Sequence, residues 1–202
     1  MWTFLHTDSH TLRGVSLGRL AIAVVLTFVF LILPTAAWQQ ALDLEGSSKD
    51  PLKGADRKVV VLVFVRTDCP ISNRYAPLIQ EMSVKYRGEA AFWLVFPDKN
   101  ESPEMIRAYL LEFGYKLPVL RDTEHSLVKI SHVKVTPEVA VFNAKRELVY
   151  CGRIDDLYQD FGRARQSATT HELADAIEAV RKGLAPAAAS ADGIGCFIAD
   201  LK

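Results

Sequence analysis

The chain has 202 residues, half of them hydrophobic and 24% charged, which excludes a disordered or low-complexity polypeptide. Its 24 basic and 24 acidic residues give a formal net charge of zero, so nothing in the composition predicts capture of nucleic acid or of an anionic membrane surface. The three cysteines, Cys69, Cys151 and Cys196, are too few for a disulfide scaffold; one pair with a spare thiol, or no disulfide at all, both stay open.

Residues 1–19 are polar, with Arg13 and Arg19 and no acid after Asp8. Leu20–Leu33 is an uncharged apolar run of 14 residues, followed by small residues up to Ala37. This predicts a secretory signal peptide cleaved after Ala37, or an uncleaved membrane anchor, since the 19 residues Leu20–Trp38 suffice to span a bilayer. In either case segment 1–37 implies export, to the periplasmic or extracellular side, where disulfides are permitted. Segment 38–57 reads as a linker, with Gly46, Ser47, Ser48, Pro51 and Gly54.

From Val59 the pattern becomes globular. Val59–Val65 reads as a strand buried on both faces, and Ser72–Gly88 as a helix containing Pro77. Ala90–Phe96 is a second buried strand. Ser102-Pro103 opens a helix that stops at Gly114, with Ser as N-cap and Pro at the first helical position. Lys116–Arg121 is extended and Asp122–Ser131 a short helix. Glu138–Phe142 and Glu147–Cys151 form a hairpin about a turn at Asn143–Arg146. Asp155–Ser167 is a polar loop, and Thr169-x-x-Glu172 is a capping box for the helix His171–Lys182. The predicted fold is α/β: a central mixed sheet flanked by helices over 58–183, with a flexible Ala/Pro tail at 184–202 that carries Gly-Cys-Phe-Ile.

The chemistry concentrates at Cys69-Pro70. A buried strand delivers Cys69 to the first turn of a helix, where unpaired N–H groups and the helix dipole favour a thiolate. Arg66 and Arg74 lie close in sequence, and Ser72 can hydrogen-bond the sulfur from the next turn.

The order of elements, Cys69 after the first core strand, Pro77 eight residues on and Thr136-Pro137 before the hairpin resemble the thioredoxin-like superfamily. TDCPISNRYAP, VTPEVAVF and GRIDD are similar to an exported redoxin subgroup of the AhpC/TSA type. The resemblance implies a nucleophilic Cys69 and a cis Pro137 that presents the Thr136 backbone to an extended or disulfide-bonded partner. The departures are specific. Ser72 stands where a Cys-x-x-Cys motif has its second thiol, and Val63 stands where thioredoxins bury an acid. Leu62 and Arg66 replace the proline and threonine of the peroxide-binding motif, and Thr67 lies one residue from that threonine position. Asn73 removes the second cysteine of a copper-chaperone site, and His125, His132 and His171 have no metal-site spacing.

Counting along the hairpin places Gly152 opposite Pro137 and Cys151 opposite Glu138. Arg153 thus returns to the active-site edge, to stabilise a thiolate or substrate oxygen or to pair with Asp155 or Asp156. Cys196 sits beyond a tail of about 12 residues, which spans up to ~40 Å when extended. It either resolves an oxidised Cys69 or anchors the tail by packing. Cys151 reads as a packed, inert thiol.

The expected function is an exported thiol-dependent oxidoreductase without metal or organic cofactor. Cys69 attacks a protein disulfide or a small peroxide, and Cys196 or an external reductant resolves it. Cys69, Cys196 and Arg153 are the catalytic candidates; Thr136, Pro137, Ser72 and Thr67 are the substrate-binding ones. The alternative is a binding or scaffold module without turnover.

Overall fold

The computed structural model describes residues 41–53 and 59–199. The run Leu20–Leu33, with the signal-peptide or anchor reading placed on it, lies outside them. Among the described residues no helix is long and apolar enough to cross a membrane.

The strands are β1 (Ala41–Leu42), β2 (Ser48–Lys49), β3 (Val59–Phe64), β4 (Ala90–Phe96), β5 (Val119–Arg121), β6 (Val135–Thr136), β7 (Glu138–Asn143), β8 (Leu148–Gly152), β9 (Tyr158–Asp160), β10 (Arg163–Ala164), β11 (Ser190–Ala191) and β12 (Cys196–Phe197). The helices are α1 (Pro70–Lys85), α2 (Pro103–Glu112), α3 (Ser126–Ser131) and α4 (Glu172–Arg181). The main sheet runs β11-β8-β7-β3-β4-β5-β1-β2. It is mixed, as expected: β3 pairs parallel with β4 and antiparallel with β7.

β3 is buried along its whole length. Val59, Val61 and Val63 join one apolar cluster with Tyr75, Ile79 and Met82 of α1 and Leu173, Ile177 and Val180 of α4. Val60, Leu62 and Phe64 join the other, with Leu127 and Val128 of α3 and Ile198 of the tail. Each such side chain contributes about 1.5–3 kcal/mol when buried. Six in succession outweigh any single polar contact nearby, so β3 fixes where its C-terminal end delivers the chain.

α1 starts two residues earlier than the apolar pattern predicts. Cys69 is its N-cap and Pro70 occupies the first helical position, where no N–H is needed. α2 has its expected cap: Ser102 Oγ accepts from the Met105 N–H at 3.3 Å. α3 begins at Ser126 rather than Asp122, because the buried Asp122 carboxylate accepts from the Ser126 and Val128 amides, each at 2.8 Å. The capping box of α4 does not form. His171 is the N-cap and makes no side-chain cap bond. The Thr169 amide instead donates to Asp156 at 2.5 Å, and Glu172 faces Arg153 at 2.9 Å.

The hairpin register also differs from the count. The turn closes from Asn143 N–H to Glu147 O at 3.0 Å, with Arg146 at φ +65°. Phe142 therefore pairs with Leu148, and a bulge before Tyr150 adds a second residue of slip. Gly152 pairs with Val139, not Pro137, and Cys151 with Ala140, not Glu138. The segment expected as a polar loop carries the small β9–β10 hairpin.

The tail adds strands of its own. β11 pairs parallel with β8, Ser190 opposite Cys151 and Ala191 opposite Gly152. β12 pairs antiparallel with β6, Cys196 opposite Thr136. Gly152 has φ +143°, and a Cβ there would lie 1.9 Å from the Ala191 carbonyl oxygen. Gly152→Ala should detach β11 and lower stability by about 1–3 kcal/mol in urea unfolding. The Arg153 amide, which donates to Ala191 O at 3.0 Å, should lose hydrogen-exchange protection; an unchanged rate there contradicts the account.

Candidate functional site

After β3 the chain turns through Arg66-Thr67-Asp68 and enters α1 at Cys69. The turn is fastened by charge and by one buried acid. Arg66 Nη2 lies 2.8 Å from Asp68 and 3.4 Å from Asp98. Glu101, 4% exposed, accepts the Thr67 N–H at 2.6 Å. Cys69 is completely buried, and its Sγ donates to the Thr136 carbonyl at 3.0 Å. The Thr136–Pro137 peptide bond is cis.

The loop before Pro137 is held by Glu138. Its buried carboxylate accepts from the Lys134 amide at 2.6 Å, the Val135 amide at 3.2 Å and the Gly193 amide of the tail at 3.1 Å. The tail then passes so close to Thr136 that a Cβ on Gly195 would lie 2.1 Å from its carbonyl oxygen. Only glycine fits that approach. Cys196 follows, opposite Thr136 in β12, with its thiol and its amide in hydrogen-bonding reach of the Cys69 sulfur. All three cysteines are free thiols.

The two neighbouring thiols are driven apart electrostatically. Burial pushes Cys69 up, but hydrogen bonds from the Ser72 hydroxyl, the Cys196 thiol and the amides of both residues favour its charged form and leave it below the ordinary thiol value. Burial and the hydrogen bond to Cys69 push Cys196 up to about 12. Ser72 Oγ is buried and, among the described residues, has no hydrogen-bond partner while Cys69 is protonated and donates to Thr136. A thiolate at Cys69 supplies the acceptor that this hydroxyl lacks.

Of the residues singled out from sequence, Cys69, Ser72, Thr136, Pro137 and Cys196 come together, with Thr67 at the edge through its bond to Glu101. Arg153 lies beside Pro137. Glu172 holds its guanidinium, Nε at 2.9 Å, so neither Asp155 nor Asp156 is its partner. It lines a small cavity with Tyr75, Pro137, Asp155 and Ile194, in which the Tyr75 hydroxyl donates to Asp155. Cys151 is away from the site, pushed up to about 12 by burial and by Glu138. Sequence reasoning missed Glu101 and Glu138. Glu101 is an acid inside an otherwise polar, exposed loop that only its burial distinguishes, whereas Glu138 is an acid at the head of a buried apolar strand. Among the described residues no cluster of His, Cys, Asp and Glu could hold a metal ion.

No protein-family model and no curated protein sequence matches the chain. Solved structures do. A hypothetical protein of Sinorhizobium meliloti is 23% identical, with 79% of this chain and 88% of that one covered at a TM-score of 0.67. An uncharacterized conserved protein of Geobacillus kaustophilus is 20% identical, with 79% and 86% covered at 0.66. A thioredoxin-like protein of Aeropyrum pernix is 20% identical, with 65% and 90% covered at 0.51. At these identities the likeness establishes architecture, and the chain has the thioredoxin-like fold.

Proposed function

We propose that the protein is an exported thiol–disulfide oxidoreductase in which Cys69 is the nucleophile and Cys196 the resolving thiol. One observation carries the reading: β12 sets Cys196 opposite Thr136, beside the sulfur that β3 and α1 deliver. The pair replaces a Cys-x-x-Cys motif with two thiols 127 positions apart in sequence (196 minus 69).

The thiolate of Cys69 attacks a disulfide R–S–S–R′, forming Cys69–S–S–R and releasing R′S⁻. The Cys196 thiol then attacks Cys69 Sγ. An S–S bond forms between the cysteines, the Cys69–S–S–R bond breaks, and RS⁻ takes up the one proton that Cys196 gives up and leaves as RSH. The dithiol is thereby oxidised and the substrate disulfide reduced; an external dithiol reverses the oxidation of the pair. The charge asymmetry suits these roles, since the thiol held low attacks first and the one held high stays protonated until the mixed disulfide exists. A disulfide fits better than a peroxide. Leu62 and Arg66 occupy the positions of the peroxide-binding motif, and Arg66 is committed to Asp68 and Asp98. Thr136 and Pro137 form the substrate-binding edge, Ser72 steadies the thiolate, and Thr67 anchors the loop. Arg153 acts at a remove by buttressing the Pro137 side. Export rests on the apolar run at the N-terminus.

The complete burial of Cys69 favours the second reading, a binding module without turnover. Turnover decides between them. Wild type treated with one equivalent of a disulfide oxidant should give Cys69–Cys196 in non-reducing peptide mapping. Cys69→Ser should reduce disulfide turnover to background, and Cys196→Ser should accumulate a mixed disulfide at Cys69. Wild-type turnover by Cys69→Ser sinks the oxidoreductase reading.

Alkylation resolved by residue gives the pH dependence. A thiolate population declines as pH falls through the group's pKa, so Cys69, held low, should keep reacting at pH values where an ordinary thiol has stopped. Cys196 should react only toward about pH 12. Ser72→Ala removes a donor to the charged form and should move the Cys69 profile to higher pH. A Cys69 profile lying above that of an ordinary thiol contradicts this assignment.

A further inference from the structure

The β6 edge carries its own tail on the side from which a substrate must approach. Thr136 O accepts from Cys69 Sγ, while Cys196 occupies the antiparallel position opposite Thr136. An extended, cysteine-bearing segment of a partner that placed its sulfur at Cys69 along this edge would need the position that Cys196 now fills. A strand edge accepts one neighbour at a time. The partner segment and the tail therefore exclude each other.

The hold on the tail is strong enough to occupy the edge and slight enough to exchange. β12 is two residues long. Its neighbours add a few contacts: Gly193 N–H to Glu138 at 3.1 Å, Arg66 Nη1 to Phe197 O at 3.4 Å, and Ile198 N–H to Lys134 O at 3.0 Å. Ile198 is its apolar anchor, 5% exposed, whereas Phe197 is 79% exposed. Glycines at 193 and 195 let the segment lie flush against Glu138 and Thr136.

We propose that the tail and the partner take turns on the β6 edge: β12 leaves as a partner's cysteine-bearing strand forms the mixed disulfide with Cys69, and its return expels the product. This rests on the thiol–disulfide reading above. The chemistry is unchanged. When β12 returns, Cys196 Sγ bonds to Cys69 Sγ as the Cys69–S–S–R bond breaks, and RSH leaves with the proton that Cys196 gave up. Because the sulfur that cleaves the mixed disulfide sits on the strand that displaces the partner, resolution and release are one movement. The resulting Cys69–Cys196 disulfide then latches the tail in place until a reductant opens it.

The test uses the full-length Cys196→Ser protein, in which a mixed disulfide cannot be resolved. One adduct joins Cys69 to the octapeptide Asp-Gly-Ile-Gly-Cys-Phe-Ile-Ala, copied from 192–199; the other joins it to 2-mercaptoethanol, which has no backbone to pair. Hydrogen exchange is read on the protein's own segment 192–199. The peptide adduct should exchange at least tenfold faster at Gly193 and Ile198 than the unmodified protein, and the 2-mercaptoethanol adduct should not. Protection retained in the peptide adduct, or lost equally in both, overturns the exchange while leaving Cys69 as nucleophile. Failure of either adduct to form overturns both readings. A second variant opens the tail without touching sulfur: Gly195→Ala, checked for an intact fold by unchanged protection of β3, should form the peptide adduct from its activated disulfide at least tenfold faster. An unchanged rate also overturns the proposal.

Discussion

Everything at the candidate site depends on the backbone of Thr136 being held at one place. Cys69 reaches it with its sulfur and Cys196 pairs with it as a strand, so Thr136 determines how the two thiols meet. A carboxylate keeps it there. Glu138 is buried, yet accepts three amide hydrogens, two from the loop before Pro137 and one from the tail. A buried carboxylate without such partners would be costly; with them it fixes loop and tail together.

The second constraint is charge. Two equivalent thiols in contact would compete for one proton and neither would have a defined role. Here the hydroxyl and amide of Ser72 and the thiol and amide of Cys196 all favour a charged Cys69, and Cys196 then finds itself beside that charge. The difference between them arises from what each sulfur faces, since the residue type is the same.

The fold itself was largely legible. The unbroken apolar run Val59–Val65 could only be a strand covered on both faces, and Ala90–Phe96 another; Ser102-Pro103 marked a helix start that the structure reproduces. Pattern and structure differ where a polar side chain has a choice of partners. Asp122 and Asp156 took backbone amides that the local pattern had assigned elsewhere, shortening α3 and leaving α4 without its capping box. The alternation of side chains predicts a hairpin register two residues away from the one formed at Gly152, because a longer turn and a bulge carry no signature in it. Arg153, which follows the hairpin, pairs with Glu172 of α4.

Of the site, the sequence by itself determined the cysteine, its helix start, the proline after Thr136 and the absence of a second thiol at position 72. These are local properties, set by neighbours a few residues away. Only the tertiary structure decided that Cys196 is the thiol beside Cys69, that Glu101 and Glu138 are buried acids bonded to the loops of the site, and that the tail lies along β6. Among them are contacts between residues 34 and 127 positions apart (Thr67 to Glu101, Cys69 to Cys196), and no local pattern encodes which distant segment will fit a given edge. Here the fit comes from two glycines that allow close approach and one isoleucine that finds the core.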